Sequence, residues 1–187
     1  MIVGHIPAGY IAGHFLQKWV SDPIQQKRIM KVSLVGSILP DVDMLYFYWV
    51  DKSHDHHIFY SHIPACYAVL IPVFVLGRLH TSLRSIGNLA ITLWFALMLH
   101  AVLDTVVSGI LWQFPFVARH EDFLIHIVDK KAIPNIWHYK QVYLEFFGLK
   151  LEGWVFNLLV HWSAILEYGI CAFALCLLRK RKKTVNT

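Results

Sequence analysis

Charged side chains are scarce in this chain of 187 residues: Asp, Glu, Lys and Arg make up 16% of it, whereas a soluble domain carries about 25%. Cysteine is scarce as well, and all three cysteines lie in apolar stretches, which argues against a disulfide framework or a zinc-thiolate site. No repeat, low-complexity tract or linker interrupts the sequence, so we treat residues 1–187 as a single domain. Hydrophobic residues make up 57% of the chain and form long runs, as in a membrane protein.

Long runs with one charged residue or none divide the chain into candidate membrane segments. A helix needs about 20 apolar residues to cross a bilayer, and we predict that residues 86–103 and 153–178 do so. Residues 63–77 reach this length with their flanking residues. Residues 1–20 and 32–50 contain polar interruptions, and each could either cross the bilayer or enter it part of the way. The pattern predicts an all-α polytopic membrane helical bundle with four to five membrane segments.

The basic residues set an expected orientation for these segments. The sequence RKRKK directly follows the last apolar run, so the positive-inside rule predicts a cytoplasmic tail at residues 179–187. Tracing the chain backwards from this tail places Arg78 and Arg84 in the cytoplasm and residues 113–152 outside. We therefore predict a multi-pass protein of the bacterial inner membrane, and the net charge of +5 needs no nucleic-acid partner to explain it.

Polar residues in or beside the apolar segments are expected to meet at the outer, extracytoplasmic level. Four of the twelve histidines fall within nine residues, HDHHIFYSH, at positions 54–62. The pair His100 and Asp104 is spaced one helical turn apart, and LPDVD contributes Asp41 and Asp43. An ionisable residue at membrane depth indicates a functional site with a partner. Histidine and carboxylate side chains together form a ligand set typical of zinc.

Each of these features also has a simpler interpretation when it is taken alone. Residues 54–62 could be a polar loop, and the His100–Asp104 pair could be a packing hydrogen bond or part of a proton path. Asp41 and Asp43 could cap a helix. A metal site explains all of them together, because a bound metal acidifies water into a nucleophile and a nearby carboxylate can accept its proton.

Four motifs in order resemble the YdjM-like inner-membrane metal-dependent hydrolases. They are GHIPAGY, GSILPDVDMLYF, HHIFYSHIPACYA and LHAVLDTVVSGILWQFPF, and the resemblance covers about residues 1–116. The sequence departs from the family at HIFYSH, which lacks the arginine and glycine of the family's HRGxTH element and has Ser61 in place of its threonine. The family is distantly similar to zinc phospholipase C and P1 nuclease, which implies a helical bundle, several zinc ions and a phosphoester substrate.

The resemblance and the residue pattern together give a specific expectation. Metal-activated water attacks an ester, most simply the phosphoester of a lipid or lipid-linked substrate within the membrane. One to three divalent ions are expected, zinc first and manganese as the alternative. Asp43 and Asp41 are the expected catalytic carboxylates, and the metal ligands are expected to be His5, Asp41, His57, His62, His100 and Asp104.

Two functions of other classes remain compatible with the sequence. The same histidines and carboxylates could serve a transporter of protons or divalent metal, although residues 63–77 show no continuous polar path. The chain could also be a non-catalytic membrane adaptor that holds a cytoplasmic partner with residues 179–187. Residues 121–131, in the outer region 117–150, are expected to form an amphipathic helix on the membrane surface.

Overall fold

The computed structural model describes residues 3–50, 59–105, 110–112, 114–116 and 162–185. These parts of the chain are helical and contain no β-strand, which confirms the all-α prediction for them. The α-helices they contain are α1 His5–Leu16, α2 Pro23–Gly36, α3 Asp43–Trp49, α4 Leu70–Leu79, α5 Arg84–Thr105 and α6 Trp162–Val185.

Helices α1 and α2 form a closely packed pair joined by a short 3-10 helix, Gln17–Trp19. Helix α2 begins where it does because the Asp22 side chain accepts hydrogen bonds from the first backbone N–H groups, and a proline follows at the first helical position. The backbones approach closely at Gly9: the Ser33 hydroxyl donates to the Gly9 carbonyl oxygen at 2.7 Å. A methyl group on Gly9 would lie only 2.9 Å from the Ser33 carbonyl oxygen.

The apolar stretch 32–50 is interrupted at PDVD, as its sequence predicts. Helix α2 stops at Gly36, a 3-10 helix covers Pro40–Val42, and α3 continues for only 7 residues. Pro40 cannot donate a backbone hydrogen bond and its ring disfavours a continuous α-helix through this point. The interruption leaves Asp41 and Asp43 beside the ends of other helices rather than on a continuous rod.

Helices α4 and α5 form the second hairpin of the structure. Their turn is a 3-10 helix, Thr81–Leu83, and the two backbones touch where Gly77 faces Gly87. Among the described residues, the helical stretch Thr81–Thr105 is the one that is long and apolar enough to cross a membrane, at 25 residues. The predicted segment 63–77 begins as a 3-10 helix, so its apolar helical stretch, Pro64–Leu79, is shorter.

The helices give the bundle two distinct ends. Helix α5 packs against α1, α2 and α4, and α6 packs against α1. The cluster end contains the start of α1, the residues that follow α2, the 3-10 helix Tyr60–His62 and the last turns of α5. The hairpin end contains Gln17–Trp19, the start of α2 and the turn Thr81–Leu83. The Gln25 side chain joins two helices at this end by donating to the Ser85 carbonyl oxygen at 2.9 Å.

Candidate metal centre

Four side chains from three parts of the chain converge at the cluster end. Asp41 comes from the 3-10 helix after α2, His62 from the 3-10 helix before α4, and His100 and Asp104 from the last turns of α5. One donor atom from each of the four lies within 4.8 Å of the other three. His100 and Asp104 share a helical face because they are four residues apart, while Asp41 reaches them only because α2 has already ended.

The spacing of the donor atoms fits a single tetrahedral cation. His62 Nε2 and His100 Nε2 are 3.3 Å apart, and His100 Nε2 lies 2.9 Å from Asp104 Oδ2. Asp41 Oδ1 is 3.6 Å from both histidine Nε2 atoms, and His62 Nε2 is 3.7 Å from Asp104 Oδ2. Four ligands at the usual Zn–N and Zn–O distances of about 2.0–2.1 Å have neighbours about 3.3–3.4 Å apart in a tetrahedron. The four residues therefore fit a zinc-sized ion without large rearrangement.

Both histidines are oriented from behind, so that Nε2 points into the cluster. His62 Nδ1 lies 2.7 Å from Asp43 Oδ2, and His100 Nδ1 lies 2.8 Å from the Ser37 carbonyl oxygen. A carbonyl oxygen can only accept, so His100 carries its proton on Nδ1 and presents a lone pair at Nε2. An acceptor behind a histidine is the usual arrangement at metal-binding histidines in proteins. Two lone pairs aimed at each other across 3.3 Å repel unless a proton or a cation lies between them.

Asp43 is itself held in place by a neighbouring hydrogen-bond network. The Ser61 hydroxyl donates to the same Asp43 oxygen that contacts His62. The Tyr67 hydroxyl donates to the Ser61 carbonyl oxygen at 2.5 Å, and Tyr67 is packed in the small apolar core with Leu97. The position of His62 is thus connected to the packed core of the bundle through Asp43 and Ser61.

His5 lies against the opposite side of the cluster. Its ring stacks on the His100 ring with centroids 4.1 Å apart, and its Nε2 lies 3.2 Å from Asp104 Oδ1. Its Nδ1 lies 3.9 Å from Asp41 Oδ2. His5 is 2% exposed, and neither ring nitrogen makes a hydrogen bond within the described residues. Asp41 and Asp104 therefore each direct one oxygen to the two facing histidines and the other oxygen to His5.

The position of His5 depends on a carboxylate from the far end of the sequence. Glu167 of α6 accepts hydrogen bonds from the backbone N–H groups of Val3 and Gly4, at 2.6 and 2.9 Å. These groups precede α1 and lack intrahelical partners, and a negative charge is favourable at a helix N-terminus. Glu167 thereby fixes the start of α1, where His5 is the first helical residue.

The cluster is closed on most sides and opens at Asp41. The side chains of His62 and His100 are 0% exposed and that of Asp104 is 2% exposed, whereas that of Asp41 is 31% exposed. Burial by itself lowers the pKa of His62, but its contacts with the carboxylates of Asp41 and Asp43 outweigh burial and raise that pKa to about 9. The metal-free cluster therefore holds a proton on His62 at neutral pH.

The structure brings together most of the residues singled out from the sequence. His5, Asp41, His62, His100 and Asp104 lie around one point, and Asp43 lies directly behind His62. His57, the other candidate from HDHHIFYSH, lies outside the described residues, as do the expected helix 121–131 and residues 113 and 117–152 of the outer region.

Sequence reasoning missed the residues that orient the site. The Ser37 carbonyl oxygen has no signature in the sequence, because any residue could supply it. Ser61 is adjacent to His62 and belongs to the motif HIFYSH, so its position was a usable signal. Glu167, the single charge in an apolar run, was noticed without a role.

Comparison with known proteins adds no relative: no family model, no curated protein and no solved structure matches the chain. The resemblance to the YdjM-like hydrolases stays a prediction that depends on the four motifs. What can be argued about function therefore comes from the geometry of the cluster.

Proposed function

We propose that this protein is a membrane-bound, metal-dependent hydrolase whose catalytic centre is the cluster of Asp41, His62, His100 and Asp104. The observation that carries the proposal is the convergence of their four donor atoms at tetrahedral spacing, with an acceptor behind each histidine. Burying two carboxylates in an apolar bundle is costly unless cations compensate them. A divalent ion supplies that compensation.

Each residue of the cluster has a distinct part in the proposed reaction. His62, His100 and Asp104 hold the ion from the closed side, and Asp41 holds it from the side that faces solvent. When bound, the ion supplies a Lewis acid that stabilises negative charge and acidifies water. Asp41 is the carboxylate reachable from outside, so it is the one placed to accept a proton from water or to give one to a leaving group. Asp43 positions His62 by accepting its Nδ1 proton.

A second cation position is part of the same proposal. Asp41 and Asp104 each direct their second oxygen towards His5, whose nitrogens make no hydrogen bond within the described residues. Carboxylates that bridge two ions are common in two-metal hydrolytic sites, where the pair clamps the attacking and leaving oxygens of a phosphoester. This arrangement favours a phosphoester substrate and a count of two ions, zinc first and manganese second.

The proposed location is a bacterial inner membrane, crossed several times, with the cluster at the extracytoplasmic face and residues 179–187 in the cytoplasm. The stretch Thr81–Thr105 has the length and composition of a spanning helix. Helix α4 exposes apolar side chains such as Val75 and Leu76, as a lipid-facing helix does. Every lysine and arginine of the described residues lies outside 3–17, 37–50, 59–77 and 85–105, and so away from the cluster end.

The substrate class follows from this location. A site at the membrane surface that opens at Asp41 can receive a headgroup while the apolar part of the substrate stays in the bilayer. We therefore propose the phosphoester of a lipid or of a lipid-linked molecule as substrate, with membrane lipids as the surrounding partner and no role for nucleic acid.

The experiment is a hydrolysis assay of detergent-purified, zinc- or manganese-loaded protein against a chromogenic phosphodiester and phospholipid vesicles. The protein is expected to release product, and Asp41→Asn and His62→Ala are expected to lose at least a hundredfold in rate. His80→Ala, which changes an exposed histidine at the hairpin end, is the matched control and should keep full activity. Hydrolysis that survives Asp41→Asn, or no hydrolysis of any phosphoester by metal-loaded protein, contradicts the proposal.

A further inference from the structure

A cavity of about 300 Å³ lies at the hairpin end of the bundle, on the opposite side of the molecule from the metal cluster. Helices α1, α2, α4 and α5 and the residues after α1 surround it. This volume is at the lower limit of cavities that bind small molecules in proteins. It suits part of an extended ligand better than a complete bulky one.

Most of the cavity wall is apolar. Leu16 and Ile29 form its closed side at 8% and 2% exposure, and Phe74 and Ile91 continue the wall on the second hairpin. The one polar group of the deep wall, the Thr92 hydroxyl, already donates to the Asn88 carbonyl oxygen at 2.7 Å. A ligand inside the cavity would therefore meet hydrocarbon and no unsatisfied polar group, which matches an aliphatic chain.

A positive charge lies at the edge of this apolar wall. Arg78 lines the cavity, is exposed, and has no ion-pair partner among the described residues. Lys18 and Arg84 belong to the same end of the bundle. The carboxylate of Asp22, at the start of α2, is occupied by backbone N–H groups of that helix. A planar guanidinium binds a phosphate group through two hydrogen bonds at once.

We infer that this cavity binds an anionic phospholipid, with part of one acyl chain inside it and the phosphate on Arg78. Charge complementarity selects this occupant, because an apolar cavity with an unpaired arginine in a basic surround fits an aliphatic anion. Trp19 lines the same cavity and is 72% exposed, and tryptophan side chains favour the headgroup level of a bilayer. Basic pockets between helices on the cytoplasmic side are a recurrent way to bind acidic lipid headgroups.

Native mass spectrometry of the full chain, released from detergent with added lipid, tests the inference. Phosphatidylglycerol and phosphatidylcholine with the same acyl chains are the two probes. The protein is expected to retain one phosphatidylglycerol and to bind phosphatidylcholine about tenfold more weakly. Arg78→Gln is expected to weaken phosphatidylglycerol binding about tenfold, since hydrogen bonds to charged groups contribute this much. Arg78→Lys, which keeps the charge, should lose less.

Two further variants separate a built site from a charged surface. Arg84→Gln removes a neighbouring charge that does not line the cavity, and it should bind phosphatidylglycerol as the wild type does. Ile91→Trp fills the cavity and keeps every charge, and it should weaken binding at least tenfold. Equal losses in Arg78→Gln and Arg84→Gln, or displacement of the lipid by inorganic phosphate, overturn the inference.

The inference stands independently of the proposed hydrolase. His100→Ala, which alters the metal cluster at the other end, is expected to bind phosphatidylglycerol unchanged. A loss of lipid in His100→Ala with an unchanged unfolding temperature would show that the lipid occupies the cluster end instead, and would overturn the assignment to the cavity.

Discussion

Asp43 shows how much a single residue can matter without belonging to the ring of donor atoms. Its Oδ2 faces His62 Nδ1 at 2.7 Å and also accepts the Ser61 hydroxyl proton. It therefore fixes both the tautomer and the direction of the His62 ring. Carboxylates in this position tune the metal affinity of a histidine without touching the metal.

Asp43→Asn is expected to weaken zinc binding by about 10- to 100-fold, the range typical for the loss of such a partner. The number of ions bound at saturating zinc should stay the same, because all proposed ligands remain. A zinc titration with a competing chelator measures both quantities. Asp22→Asn is the matched control, since it changes an aspartate at the hairpin end, and it should leave zinc affinity unchanged. An unaltered affinity in Asp43→Asn contradicts a positioning role.

The proton on His62 gives a prediction about pH. The folded, metal-free protein holds this proton up to a pKa of about 9, above the ordinary value of 6.5. Zinc has to displace it, so zinc affinity should rise with pH and level off above about pH 9, as ligand deprotonation requires. Calorimetry at pH 7.5 in buffers of different ionisation enthalpy is expected to show at least one proton released per zinc bound at His62.

The same shift fixes how stability should vary with pH in the absence of metal. A pKa that is higher in the folded state stabilises fully below about pH 6.5, and this stabilisation disappears as the pH rises through about 9. Zinc binding without proton release at pH 7.5, or a metal-free protein that becomes more stable between pH 7 and 9, would contradict this protonation state.

The ligand residues were more predictable than their supports. His100 and Asp104 were recognisable because a spacing of four places them on one helical face, and Asp41 and Asp43 because a proline precedes them. The Ser37 carbonyl oxygen could not be predicted, since backbone acceptors are not encoded by residue type. The cap formed by Glu167 joins positions 163 and 164 residues apart, and no local pattern indicates such a pair.

At the scale of elements, the α4–α5 hairpin depends on two glycines. Gly77 and Gly87 allow the helices to touch backbone to backbone, because a methyl group on Gly77 would lie 2.6 Å from the Gly87 Cα atom. The contact is near the turn, so it sets the angle at which α5 leaves the hairpin. His100 and Asp104 lie at the far end of that helix, where a small change in angle becomes a large displacement.

Gly77→Ala is expected to destabilise the protein by about 1–3 kcal/mol, as other overpacking substitutions do. The matched control is Gly169→Ala in α6, where an added methyl group meets nothing within 4 Å. That change should be neutral or stabilising by up to about 1 kcal/mol, because alanine favours a helix more than glycine. Thermal unfolding in detergent compares the two variants. Equal unfolding temperatures would show that the hairpin tolerates the extra volume.

The helices themselves were predictable in existence and less so in continuity. The uncharged run 86–103 corresponds to α5, because a long apolar run without proline has no reason to stop. The run 63–77 gave no hint that Pro64–Val69 forms a 3-10 helix before α4 begins. The run 32–50 is divided as predicted, but its first part belongs to a helix that begins at Pro23, since Asp22 supplies the cap.

At the scale of the whole molecule, charge and chemistry are separated between the two ends. Basic residues such as Lys18, Arg78 and Arg84 occupy the hairpin end, whereas the candidate ligands occupy the cluster end. The proposed orientation follows from this separation, because basic ends of membrane proteins stay in the cytoplasm. The all-α class followed from composition alone, and the meeting point of the ligands followed from the expected topology of the segments.

Cysteine labelling in whole cells measures this orientation. In a variant whose three cysteines are replaced, Ser82→Cys in the turn of the hairpin end is expected to react with a membrane-impermeant maleimide only after lysis. Tyr60→Cys, at a position that is 75% exposed beside the cluster, is expected to react in intact spheroplasts. The opposite pattern would reverse the orientation, and labelling of both sites in intact spheroplasts would contradict a membrane between the two ends.

The central claim is that the cluster of Asp41, His62, His100 and Asp104 holds a divalent metal. Elemental analysis of the full chain, purified in detergent without chelators and compared with His100→Ala and His80→Ala, tests it most directly. We expect zinc or manganese at one to two ions per chain in the wild type and in His80→Ala, and a loss of metal in His100→Ala. Well-folded wild-type protein without bound metal, or metal that His100→Ala retains in full, would contradict the claim.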